Sequence, residues 1–204
     1  MNQSGASPDS DRSSRSELRR QQVLDAAAEC FRRYGFHGAS VAQISKLAGM
    51  SAGHIYHFFE NKEAIIGAIV EQNVERGLEL VARFEAEPDV FGAMVERVDV
   101  GLAQKTAPDH VGLWLEVLAE AARNPNVARI VQTADRKMRE RLVRLVENVR
   151  RDRGTGSAVS AEVVTDVVMA LFEGLANRKV QHPDSDVGEM TRVLRVAARA
   201  ILEA

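Results

Sequence analysis

At 204 residues, with hydrophobic side chains making up 45%, the chain is long enough for a sizeable core and for two domains that share a connecting helix. No apolar run reaches the ~18–20 residues a bilayer span needs, the first residues lack the apolar core of a secretory signal, and a single cysteine makes no internal disulfide. These features point to the cytoplasm and away from membranes. The formal charge of −2 divides unevenly: residues 1–62 carry eight basic against six acidic side chains, net +2, which leaves −4 for the rest. A nucleic-acid-reading head on an acidic body would show asymmetry of this sign, and a difference this small decides nothing by itself.

Residues 1–15, MNQSGASPDSDRSSR, hold too little apolar surface to offset the entropy of ordering and are expected to form a disordered tail. Arg12, Arg15, Arg19 and Arg20 are candidates for a basic arm in a minor groove, a solvated tail being the alternative. From Ser16 the pattern is helical: Leu24, Ala27, Ala28 and Phe31 recur at three and four, with Val23, Cys30 and Tyr34 widening the stripe. On that face Cys30 is expected to be a buried structural thiol. Gly35 and Gly38 then end the helix.

Ser40 to Lys62, SVAQISKLAGMSAGHIYHFFENK, is spaced as a short helix, a tight turn and a second short helix. Ser40 with Gln43 three residues on makes a capping box, so the first helix begins at Val41. Val41, Ile44, Leu47 and Ala48 share its inner face, and Gly49 supplies the left-handed residue that ends it. Ser51 caps the next helix, which turns Ile55, Phe58 and Phe59 inward and leaves Ala52, Gly53, His54 and His57 outside. The pattern is a helix-turn-helix, with an ordinary helical hairpin as the alternative. Packed under the first helix, it makes a three-helix head around Leu24, Phe31, Ile44, Leu47, Ile55 and Phe59.

The stretch LDAAAECFRRYGFHGASVAQISKLAGMSAGHIYHFFENKEAII closely resembles the DNA-binding domain of the tetracycline-repressor (TetR) family of bacterial transcription regulators, over roughly residues 23–70. The resemblance implies an all-α homodimer with an N-terminal reading head and a variable C-terminal domain. In such proteins that domain binds a small molecule or, less often, a protein partner, and binding alters affinity for a double-stranded DNA operator. On this pattern Ala52, Gly53 and His54 face base edges, while Ser40 with its partner Gln43, and Tyr56, His57 and Lys62, stand at the phosphates. Two positions depart from the family pattern. Ala52 cannot make the bidentate contact of an arginine to guanine, and Phe58 replaces a frequent polar residue, which points to packing there.

Asn61 caps a long helix from Lys62 to about Phe84 with Ile66, Ile69, Val70, Asn73, Gly77, Val81 and Phe84 inward; it runs from head to body as a lever. Pro88, Pro108 and Pro125 mark helix starts, giving helices at about 89–105, 109–122 and 126–152. The last carries an apolar stripe (Ile130, Ala134, Met138, Leu142, Leu145, Val149) and a charged, solvated face. A Gly/Ser/Arg loop at 151–160 precedes helices at about 161–181 and 186–203, each apolar on more than one side. Helices with so wide an apolar surface call for partners on two sides, which two subunits supply as a four-helix dimer contact.

The chain thus divides into a tail (1–15), a helix-turn-helix domain (16–62) and a helical effector-binding and dimerisation domain (63–204), about nine helices in all. The effector pocket is implied by the resemblance alone; its candidate lining is Phe84, Phe91, Met94, Trp114, Met169 and Phe172, with His110, Glu173 and Asn177 as orienting polar groups. There is no Gly-rich phosphate loop, no Cys/His metal cluster and no nucleophile elbow, so neither an enzyme nor a bound cofactor or metal is expected. The expected function is a DNA-binding regulator, a repressor released by a small molecule. The alternative is an all-α regulator whose body answers to a protein partner.

Overall fold

Cap chemistry decides where the helices begin and end. The computed structural model describes residues 8–154 and 158–204, and in them lie ten helices and no strand: α1 (Pro8–Gly38), α2 (Val41–Ala48), α3 (Ala52–Phe58), α4 (Lys62–Glu85), α5 (Val90–Glu96), α6 (Val98–Thr106), α7 (Pro108–Ala121), α8 (Pro125–Arg153), α9 (Ala161–Gln181) and α10 (Val187–Glu203). Ser40, Ser51, Asn61, Asp89, Asn124, Ser160 and Asp186 each accept a first-turn backbone N–H, which satisfies donors the helix itself leaves unpaired. Pro108 and Pro125 occupy first helical positions, whereas Pro88 precedes the cap Asp89.

Two boundaries differ from the sequence expectation. Helix α1 starts at Pro8, so residues 8–15 are helical; a proline suits the first helical position. Residues 1–7, and the side chain of Arg12, lie outside the described residues, as do 155–157 of the expected 151–160 loop. The single helix expected at 89–105 is broken at Arg97 (φ −104°, ψ 25°) into α5 and α6, which makes ten helices of about nine.

The main core joins head to body. Leu24, Phe31, Ile44, Ile55 and Phe59 pack with Ile65 and Ile66 of α4, Leu113 and Val117 of α7 and Val127 of α8. Cys30 is buried in it, and burial raises its thiol pKa against the opposing pull of Arg33. Two expected members are outside. Leu47 and Tyr34 are each 51% exposed: α2 is covered on the flank of Ile44 and Ala48, and Tyr34 falls beyond the edge of the α1 stripe. Gly35 (φ 68°) breaks α1 just after Tyr34, and Phe36 turns in instead, its ring 5.6 Å from that of Phe31.

Smaller cores close the body, one around Phe91, Val95, Val146 and Val164, another around Val98, Leu102, Leu194 and Ala198. The charged face of α8 is more than a solvated face: Arg139 reaches Asp166 of α9 at 2.5 and 2.9 Å, and Arg141 pairs with Glu85 of α4. The outer faces of the last two helices stay apolar and open, with Val163, Val167, Ala170 and Gly174 on α9 and Val193, Val196 and Ala200 on α10 exposed. None of the described helices is long and apolar enough to cross a membrane.

Candidate nucleic-acid interface and effector cavity

The turn between α2 and α3 is fixed by local chemistry. Gln43 N–H donates to Ser40 Oγ at 3.2 Å, and Ser40 returns its own N–H and hydroxyl to Gln43 Oε1 at 2.7 and 2.8 Å. Gly49 takes φ 61° and closes α2 through bonds to Lys46 and Ser45 carbonyls, a left-handed position that costs a side-chain-bearing residue ~1–2 kcal/mol. Ser51 then accepts from His54 N–H at 3.2 Å and starts α3. Across the pair, Gln22 Nε2 of α1 donates to the Ala48 carbonyl at 2.8 Å.

With Ile55 and Phe59 buried, α3 presents Ala52, Gly53, His54, Tyr56 and His57 to solvent. His54 lies flat on Phe58, ring centroids 5.5 Å apart at 13°, and His57 meets the same ring edge-on at 5.3 Å. Phe58 is thus half-buried and serves as the platform under the two imidazoles. Lys46, missed as a candidate, stands exposed on α2; the only hint in the sequence is its position opposite Ile44 and Ala48 on the helix.

Three groups of expected contact residues have partners within the chain. Lys62 Nζ donates to the carbonyls of Phe36 and Ala39 at 2.7 and 2.8 Å and lies 4.5 Å from the Phe36 ring centroid, so two of its three donors secure the end of α1. The Ser40 hydroxyl and the Gln43 carbonyl bond each other in the capping box, while the Gln43 NH₂ is not used there. Arg19 and Arg20 belong to the body of α1, where Arg19 donates to Gln22 and Arg20 pairs with Glu17 and covers the Phe59 ring at 5.4 Å; they form no free arm.

Between head and body, polar ties converge on α7 and α8. Glu120, 1% exposed on α7, meets His37 Nε2 at 2.9 Å and accepts from Asn124 Nδ2 at 3.1 Å. Arg32 of α1 pairs with Asp109. Glu63 of α4 accepts from Asn124 and Asn126 at 2.7 and 3.0 Å, and these two bonds hold its carboxyl below the usual range.

The body holds a cavity of about 440 Å³ lined by every helix from α4 to α10, within the ~300–1,000 Å³ of small-molecule sites. Seven expected residues line it: Phe84, Met94, His110, Trp114, Met169, Phe172 and Glu173. Two do not. Phe91 is a core residue under Arg153, whose guanidinium carbon is 3.7 Å from the ring centroid, and Asn177 is exposed on α9, one turn past the end of the cavity. The walls also include Asn73 and Gly77 of α4, Gln104 and Lys105 of α6 and Met138 of α8. Nothing in the local sequence of Lys105 distinguishes it from a solvated lysine. Burial, then Lys105 and Arg76, lower the His110 pKa to about 4, so the imidazole is neutral. Burial also raises the Glu173 carboxyl, opposed by Lys105 and aided by Asp135.

Comparison with known proteins agrees with this arrangement. Residues 23–69 match the model of bacterial regulatory proteins, tetR family, and residues 98–203 match that of the BetI-type transcriptional repressor C-terminal domain. The chain is 33% identical over 113 residues to the HTH-type transcriptional repressor Rv1474c of Mycobacterium tuberculosis, covering 51% of this chain and 60% of that one. It is 40% identical over 117 residues to the HTH-type transcriptional regulator UidR of Escherichia coli, covering 55% and 57%. The chain thus spans well under two thirds of the length of these curated relatives. Salmonella enterica GusR superposes with a TM-score of 0.74 at 28% identity, over 91% of this chain and 93% of that one. With one model on the reading head and the other on more than half the chain, the protein belongs to the tetR family of bacterial regulatory proteins.

Proposed function

We propose that the protein is a DNA-binding transcriptional repressor that works in the cytoplasm as a homodimer on a near-palindromic operator and is released by a small molecule in the body cavity. The observation that carries the reading is α3 itself: five exposed residues, Ala52 to His57 without Ile55, on a two-turn helix anchored by Ile55 and Phe59. That is the arrangement in which a recognition helix lays its N-terminal residues against base edges in the major groove. In this reading Ala52, Gly53 and His54 meet bases, and Tyr56 and His57 meet phosphates. The head extends from α1 through α3 and the body from α4 onward, with the open faces of α9 and α10 as the dimer contact. Two α3 helices then stand about one DNA turn apart, roughly 34–36 Å, and an effector that prefers another spacing shifts the population away from it.

Selection of bound sequences from random duplex DNA tests the proposal directly. The expected result is a two-fold related site and an affinity that falls steeply with salt. Tyr56→Ala should weaken binding to specific and random duplexes alike, while His54→Ala should change sequence preference. Absence of an enriched site, or affinity indifferent to salt, would instead favour a head that docks on protein.

A further inference from the structure

The cavity wall is apolar over most of its area, so its few polar groups decide which molecules it prefers. At one end stand an ammonium, an imidazole nitrogen that donates in its Nε2–H tautomer, and an amide NH₂, each with hydrogen-bonding capacity unspent. Lys105 makes no ion pair or hydrogen bond among the described residues; its Nζ stands 5.9 Å from the Trp114 ring centroid. His110, one turn before Trp114 on α7, has its Nε2 buried with no partner. Asn73 spends its carbonyl oxygen on Arg76, which leaves its NH₂ group to offer.

The other charges on the wall do not serve Lys105. Arg97 is matched by Glu87 at 2.7 Å. Asp135 and Glu173 are both exposed, and neither forms a salt bridge with Lys105, although Lys105 pulls the Glu173 carboxyl down against the rise that partial burial gives it. A cationic ligand meets two obstacles. The Trp114 face that would receive an ammonium is already covered by Lys105, and Lys105 and Arg76 together make the His110 end positive.

We propose that the cavity selects an amphipathic carboxylate, its apolar body between α4 and α8 and its carboxylate on Lys105 Nζ and His110 Nε2. The inference rests on the reading of this cavity as the effector site. A carboxylate there gives Lys105 a counter-charge in bonding contact, which neither carboxylate of the wall supplies, through charge-assisted hydrogen bonds of the stronger class. The rest of the ligand is held by burial against Met138, Phe172 and Trp114.

Trp114 is the one tryptophan of the chain, so its fluorescence reports occupancy of the cavity. The test titrates the full-length protein with decanoate, decanol and decyltrimethylammonium, each below its micelle concentration. Decanoate should bind about ten-fold or more tightly than either of the others, the ratio a charge-assisted hydrogen bond supplies. Lys105→Met should remove that advantage, so that decanoate no longer binds more tightly than decanol; Lys105→Gln, with thermal unfolding checked for both, serves if the first variant folds poorly. Equal binding of decanoate and decanol, preference for the ammonium, or a decanoate affinity untouched by both substitutions would overturn the carboxylate assignment while leaving an effector cavity in place. No response of Trp114 to any of the three would overturn both.

Discussion

Lys62 shows how a cation next to a reading helix can serve the fold. Its ammonium bonds two carbonyl oxygens that the end of α1 leaves without helical partners, and it covers the Phe36 ring. Hydrogen bonds from charged donors are worth about 1.5–3 kcal/mol each where water is excluded; with Lys62 half-buried, Lys62→Met should cost about 1–3 kcal/mol of stability, read in urea unfolding. If the residue instead gripped a phosphate, the substitution would leave unfolding unchanged and lower the salt dependence of DNA binding.

His110 gives a second expectation at this scale. Its pKa falls from 6.5 to about 4 on folding, so between those values the unfolded chain binds the extra proton. Stability is therefore complete above pH 6.5 and declines as pH falls through that window. Glu173, with its carboxyl raised, contributes in the opposite sense, as stability present at low pH and lost as pH rises through its folded pKa. Comparing wild type with His110→Phe isolates the histidine: the variant should lose less stability between pH 6.5 and 4 in denaturant titrations. The capping residues Ser40, Gln43, Gly49 and Ser51 were legible in the sequence because their partners lie within a few positions. The acceptors of Lys62 are 23 and 26 residues away, and no local pattern announces them.

At the scale of elements, α7 joins the cavity to the head. One face carries His110, Trp114 and Leu118 into the cavity, while Asp109, Leu113, Val117 and Glu120 reach α1. The sequence reading gave the lever role to α4 alone, since a long helix crossing from head to body is visible by its period, whereas a two-faced helix needs both neighbours placed before its second face has meaning. The break at Arg97 was equally hidden, because 89–105 carries no glycine or proline signal at that point. Helix α4 offers a clean experiment of its own. A Cβ on Gly77 would stand 2.4 Å from Met138 Cε, the mobile end of a flexible side chain, which yields into the cavity. In a helix interior alanine also gains roughly 0.5–1 kcal/mol over glycine. Gly77→Ala should therefore keep or raise the unfolding temperature while weakening cavity ligands, seen as reduced Trp114 response. A large loss of stability would mean that Met138 has nowhere to move.

For the whole molecule, the question is what covers α9 and α10. In the single chain Val193 and Val196 are 69% and 72% exposed, next to a face of α9 on which Val163, Val167, Ala170, Gly174 and Asn177 repeat at four and three. Small and branched side chains in that rhythm let two helices approach closely and interlock, as in four-helix packing. Asn177, expected in the cavity, falls on this face instead, and its exposure there fits an amide at the rim of a contact. In the proposed dimer, Val196→Asp would put a carboxylate into the contact of each subunit, where it loses water without a partner. Because neither Val193 nor Val196 packs in the single chain, the variant should retain its helix content, yet sediment as a monomer at micromolar concentration. Its operator affinity should then fall by about 10²–10⁴, the loss expected when two linked reading helices become independent. Affinity for random duplex, carried by one head at a time, should change far less. A Val196→Asp protein that still sediments as a dimer would move the subunit contact away from α10, and a monomer that kept full operator affinity would remove the need for paired heads.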